Sequence, residues 1–160
     1  NVPIIKKFGR NVITRDGAGR SLIRYPLSRL PDGGYWLDPG DSSVKKYLLE
    51  VIKDLLKHYP QLDGIHLDFI RYPYSSLNPG SRWAGKKDFG YGKMSVRRFK
   101  AKYGFSPLKM DLRNRFRTQL WDAWRRRQIT EFVIDAYKLA KSINPRIKVS
   151  CAVQPYPDRA

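Results

Sequence analysis

Cysteine is almost missing from this chain. Cys151 stands alone, which excludes an internal disulfide. Histidine is nearly as scarce. With only His58 and His66 beside one cysteine, a Cys/His zinc centre lacks its ligands. Carboxylates are few, with 14 Asp and Glu against 32 Lys and Arg. The resulting net charge of +18 favours polyanionic partners such as nucleic acid, anionic lipid or an acidic polymer. A general solubility bias is the competing reading, because net charge speaks to partners and not to fold. Long apolar runs are missing too, so no segment reads as a membrane span. There is no Walker lysine loop, no dinucleotide glycine fingerprint and no GxSxG elbow, which argues against nucleotide-binding and serine-hydrolase classes. No helix-turn-helix, zinc finger or RNA-binding aromatic pair accompanies the charge, so specific nucleic-acid recognition is not expected.

What is present is a globular composition. Hydrophobic residues make up 41% of 160 positions and mean hydropathy is −0.57. That suffices for a single domain over residues 1–160, without internal boundary, repeat or low-complexity segment. The opening NVPII carries neither an initiator Met nor a basic-then-apolar leader, and the expectation is a piece processed or cut from something longer.

One stretch concentrates the chemistry. In QLDGIHLDFIRYPYSS, residues 61–76, Ile65, Leu67 and Phe69 alternate with His66, Asp68 and Ile70, the period of a strand. A strand from Asp63 to Ile70 turns His66 and Asp68 to one side. An ordinary core strand has no use for both, since burying them unpaired is costly. A catalytic strand of a (β/α) barrel does, because its apolar face meets helices while its inner face carries functional groups toward the C-terminal end. Arg71 follows directly. A satisfied buried network of His66, Asp68 and Arg71 is the structural alternative.

The remaining elements alternate. Residues 1–40 read as a long loop rich in Gly, Pro, Asp and Arg. Asp41 or Ser42 can cap a helix whose apolar residues Val44, Tyr47, Leu48, Val51, Ile52, Leu55 and Leu56 recur at three-four spacing before Pro60. A second loop, Arg71–Gly92, is followed by a short helix capped at Ser95 and stopped by Gly104. A long helix is expected from Arg113 to Ile143, and a second strand over Ile147–Val153. Helix and strand order therefore predicts an α/β fold with a parallel sheet, its two strands about 75 residues apart.

The segments YWLDPGDSSVKKYLLEVIKDLLKHY, LDGIHLDFIRYP, DFGYGKMSVRRFKAKYG and WDAWRRRQITEFVIDAYKLAKSINPRIKVSCAV, closing with PYPDRA, together resemble the bacterial glycosyl-hydrolase-like 10 family over nearly the whole chain. The opening VITRDGAG resembles that family's loop after its third strand. The resemblance implies a TIM-like barrel of about 300 residues, of which this chain would supply the fourth and fifth strands with their helices. Such a fragment exposes sheet edges and is expected to be inactive alone. The resemblance further implies a glycosidase of the cell envelope acting on polysaccharide, including glycan strands of the wall. It implies an extracytoplasmic parent protein and neither a metal nor an organic cofactor.

Glycosidic cleavage uses two carboxyl groups, separated by about 5–5.5 Å for retention or about 6.5–9.5 Å for inversion. Asp68 is the candidate for one, as nucleophile or as acid/base, with His66 and Arg71 as neighbours that keep it ionised. Asp158 is the nearest candidate for the other, with a plain loop aspartate as its alternative. Asp38 in YWLDPG either binds substrate or forms the turn before the helix. Trp36, Tyr72, Trp83 and Tyr91 lie in loops that can present sugar platforms. Trp121 and Trp124 belong to the core. Gln154 departs from the small or apolar residue expected there and joins the substrate-binding candidates. Arg125–Arg127 reads as a solvated basic run.

Overall fold

The computed structural model describes residues 3–26, 30, 34–73, 88–111 and 113–153. The described elements run in the order α1 (Pro3–Phe8), α2 (Ser42–His58), β1 (Gly64–Leu67), α3 (Lys93–Tyr103), α4 (Arg115–Ile143) and β2 (Lys148–Cys151). Among the described residues no helix is long and apolar enough to cross a membrane.

The helix boundaries follow from local chemistry. Asp41 caps α2 by accepting from the Ser43 amide at 2.8 Å. Val44, Ile52 and Leu56 then fall on its buried face. The helix stops before Pro60, whose ring cannot continue it. α3 ends on Gly104, whose φ of +79° is left-handed and suits a residue without a side chain. The start of α3 differs from the sequence expectation. Ser95 does not cap the helix but sits buried inside it, and Gly92 takes the cap position. The reason is a tertiary bond: the Ser95 hydroxyl donates to Asp38 Oδ1 at 2.9 Å.

β1 and β2 pair in parallel, with His66 opposite Ser150. Ile65, Leu67, Val149 and Cys151 alternate with the exposed Gly64, His66, Lys148 and Ser150. α2 and α4 cover the first set. Ile52 and Leu56 from α2 meet Ile65, Ile147 and the Phe132, Ala136 and Ala140 face of α4. A fully buried Leu56 or Phe132 contributes about 2 kcal/mol by removal from water. The small Ala136 and Ala140, both fully buried, let α4 lie close against its neighbours. Among the described residues nothing covers the other side of this pair, which is unusual because parallel strands are normally covered on both faces.

β1 is shorter than the Asp63–Ile70 expected from alternation. It ends at Leu67, and Phe69 turns to φ +52°. The alternation therefore breaks. Phe69 becomes 54% exposed, and Ile70 packs against the core in its place. The first 40 residues also hold more order than a loop reading allows. They include α1 and short bridges pairing Ile13 with Leu37 and Asp16 with Phe89. Ile13, Leu22, Leu30 and Phe89 form a second core there.

α4 carries one buried stripe from Trp121 through Trp124, Arg125, Gln128, Phe132 and Ala136 to Ala140. Its C-terminal half packs on the sheet. Its N-terminal half packs Trp121 and Trp124 against Phe99 of α3 and against Tyr91. The two indoles stack at 5.1 Å and 10°.

Candidate functional site

β1 delivers His66 and Asp68 to the C-terminal end of the parallel pair. His66 lies on the open face, and its Nδ1 is 2.9 Å from the Ser150 hydroxyl on β2. Asp68 lies one residue past the strand, exposed, with Oδ1 accepting from the Phe69 amide at 2.7 Å. Neither side chain forms an ion pair among the described residues. The buried His66–Asp68–Arg71 network weighed from sequence is therefore not formed.

The turn at Phe69 has a local consequence. A bulky residue at positive φ is strained, and Phe69 is the one non-glycine residue with positive φ among the described residues. The turn brings its ring to 5.4 Å from Trp36, edge on. The Arg71 guanidinium lies over both rings, 4.7 Å from Trp36 and 5.3 Å from Phe69. Beside this stack opens a cleft of about 330 Å³, lined by Trp36, Val44, Leu48, Phe69, Arg71 and Phe132 among others. The cleft is mostly apolar, with Arg71 and Lys45 as its charged groups. Lys45 is paired to Asp135. An aromatic and cationic rim of this kind can hold the apolar face of a sugar ring.

The other candidates fall elsewhere. Asp38 is 1% exposed and is not in the cleft. Its Oδ1 accepts from the Ser95 hydroxyl and from the Gly40 amide at 3.2 Å, while Oδ2 packs on the Gly92 backbone without a well-formed hydrogen bond. A Cβ at Gly92 would overlap that oxygen, so only glycine fits. Burial pushes the Asp38 carboxyl up to about 7, against the pull of Ser95 and Gly40. The Asp38 carbonyl also accepts from the Asp41 amide at 3.0 Å, closing a turn before α2. Tyr91 is buried against Trp121 at 5.1 Å. The Tyr72 hydroxyl is buried without a partner among the described residues, and its pKa is raised first by burial and then by Asp38. Trp83, Gln154 and Asp158 lie outside the described residues. Among the described residues no group of three or more His, Cys, Asp or Glu could hold a metal ion.

Two features escaped the sequence reading. Arg125 is not on a solvated face. It is buried, donates to Asp88, Asp122 and the Phe89 carbonyl, and thereby ties the Asp88–Gly90 segment to α4. Burial works against its charge, but the two carboxylates outweigh this and hold its pKa above the ordinary value. Its place four residues after Trp121 and three before Gln128 was the available signal. The second is Asp16, 1% exposed, which accepts from the Ala18 and Arg20 amides and the Tyr25 hydroxyl and so shapes the RDGAG turn.

No curated protein and no solved structure matches the chain significantly. The model of the family described as glycosyl hydrolase-like 10 matches residues 31–159, a span that holds the cleft, β1, β2 and the exposed Asp68. By that match over most of its length, the chain belongs to the glycosyl hydrolase-like 10 family.

Proposed function

We propose that this chain forms part of a (β/α)8 barrel glycoside hydrolase, with Asp68 as one of its two catalytic carboxyl groups. The observation that carries the reading is the strained turn at Phe69, directly after Asp68 and at the C-terminal end of a parallel strand. The exposed His66 face of the β1–β2 pair supports it as well, because in a closed barrel that face is the interior, filled by side chains of the other strands. Trp36, Phe69 and Arg71 form the rim on which a sugar rests. The proposed substrate is a polysaccharide such as the glycan strands of peptidoglycan, met outside the cytoplasm.

The test compares the full-length protein with its Asp68→Asn variant on peptide-free peptidoglycan strands, chitin oligosaccharides and α- and β-glucans, with products read by mass spectrometry. Cleavage should fall on the order of 10³-fold in the variant. Undiminished cleavage would remove Asp68 from the mechanism. The net charge of +18 favours a second reading, a non-catalytic binder of acidic glycan or nucleic acid. Salt-sensitive binding with no turnover on any substrate would select it.

A further inference from the structure

We infer that the surface formed by α3 and the first turns of α4 is a binding site for a carboxylate-bearing polysaccharide chain. The inference rests on the hydrolase reading above and adds the chemical class of its substrate.

The first observation is charge. From Lys93 to Arg127 the chain has twelve Lys and Arg against two Asp. Lys93, Arg97 and Lys100 are exposed at i, i+4 and i+7 of α3, so they form one stripe. Arg113, Arg115 and Arg117 are exposed around the start of α4. None of these six makes an ion pair among the described residues. Like charges at such spacing oppose helix formation, and a negatively charged ligand relieves that opposition. Arginine suits a carboxylate because its planar fork donates two parallel hydrogen bonds.

The second observation is an aromatic ring. Phe116 is 71% exposed between Arg115 and Arg117. The Arg117 guanidinium lies 4.8 Å from the Phe105 ring, which packs on Phe99 of α3. An exposed ring on a strongly basic segment fits a charged sugar, since the ring offers a stacking face to the chain whose carboxylates the arginines attract. One exposed ring is too little apolar surface for a membrane-inserting face.

The third observation is position. Ile129 and Phe132 of α4 line the same cleft as Phe69 and Arg71, so this level of the helix meets the C-terminal strand ends. The stretch of α4 from Arg115 to Ile129 carries the helix about 20 Å beyond that level. The basic surface thus lies on the Asp68 side of the fold, but too far away for one small ligand to touch both. A chain of sugars spans the gap.

The experiment measures binding of the full chain to polygalacturonate and to its methyl-esterified form, which has the same backbone without the charges. Duplex DNA and anionic phospholipid vesicles serve as competitors. Polygalacturonate should bind at least about tenfold tighter than the ester and outcompete both. Replacing Arg113, Arg115 and Arg117 together by Gln should weaken it at least about tenfold, Lys at the same sites should recover only part of that loss, and Phe116→Ala should weaken it about threefold. All four sites are exposed, and matching melting curves confirm the fold. Equal binding of the ester, tighter binding of DNA or vesicles, or an unaffected Gln variant would overturn the inference. Binding without hydrolysis of any glycan would defeat the hydrolase reading alone. Hydrolysis with no preference for the acidic chain would defeat this inference alone.

Discussion

At the residue scale, Asp38 shows how a buried carboxyl ties loops together and makes them sensitive to protons. Gly40, Ser95, Gly92 and Asp41 face it from neighbouring segments. Its carboxyl is pushed up to about 7 by burial, so the folded protein holds that proton more tightly than the unfolded chain. Stability from this group is therefore complete below about pH 4, declines as pH rises, and levels off above about 7. The fall is on the order of a few kcal/mol, since each tenfold change in proton affinity is worth about 1.4 kcal/mol. Asp38→Asn keeps an acceptor for Ser95 and Gly40 and carries no proton to lose. Urea unfolding between pH 4 and 8 should show the difference between parent and variant growing in the variant's favour with pH. Parallel curves would mean that Asp38 titrates alike in both states.

At the element scale, α4 begins badly for a helix. Its first turn holds no acidic residue, and Arg115 and Arg117 sit where exposed amides already give partial positive charge. Arg115→Glu should stabilise the protein by about 0.5 kcal/mol in low salt, read as a raised urea midpoint. An unchanged or lowered midpoint would show that Arg115 is already compensated. Helices of this kind were largely legible from sequence. Val44, Ile52 and Leu56 mark α2 at helical spacing, and Pro60 and Gly104 mark the stops of α2 and α3. The interior of β1 was legible as well, through Ile65 and Leu67. Its end was not, because alternation continues through Phe69 and Ile70 while the backbone turns there. Ser95 misled for a related reason. A serine near a helix start reads as a cap, but the hydrogen bond it makes to Asp38 spans 57 positions, beyond any local pattern. Within the site, His66, Asp68 and Arg71 stood out as polar groups in an apolar run. The cleft formed by Trp36 and Phe69 did not, since it depends on how two distant segments meet.

At the scale of the whole molecule, a net charge of +18 on 160 residues acts against compactness. Raising NaCl from about 0.01 to about 0.15 M shortens the screening length from about 30 to about 8 Å and should raise the melting temperature by several degrees. A melting temperature that falls with salt would mean that attractive pairs such as Arg125 with Asp88 and Asp122 outweigh the repulsion. The long helix α4 also gives the molecule a kind of gearing. One continuous rod engages the sheet at Phe132–Ala140 and the DFGYG segment at Arg125, so the two engagements share a rotational phase. Inserting one residue between Gln128 and Phe132 would turn one set of teeth by about 100° against the other, disengaging Arg125 from Asp88 while the sheet stays seated. Inserting seven residues would nearly restore the phase but move the two engagements about 10 Å apart. The rod thus meters both the angle and the distance between the sheet and everything the fold carries beyond its strand ends.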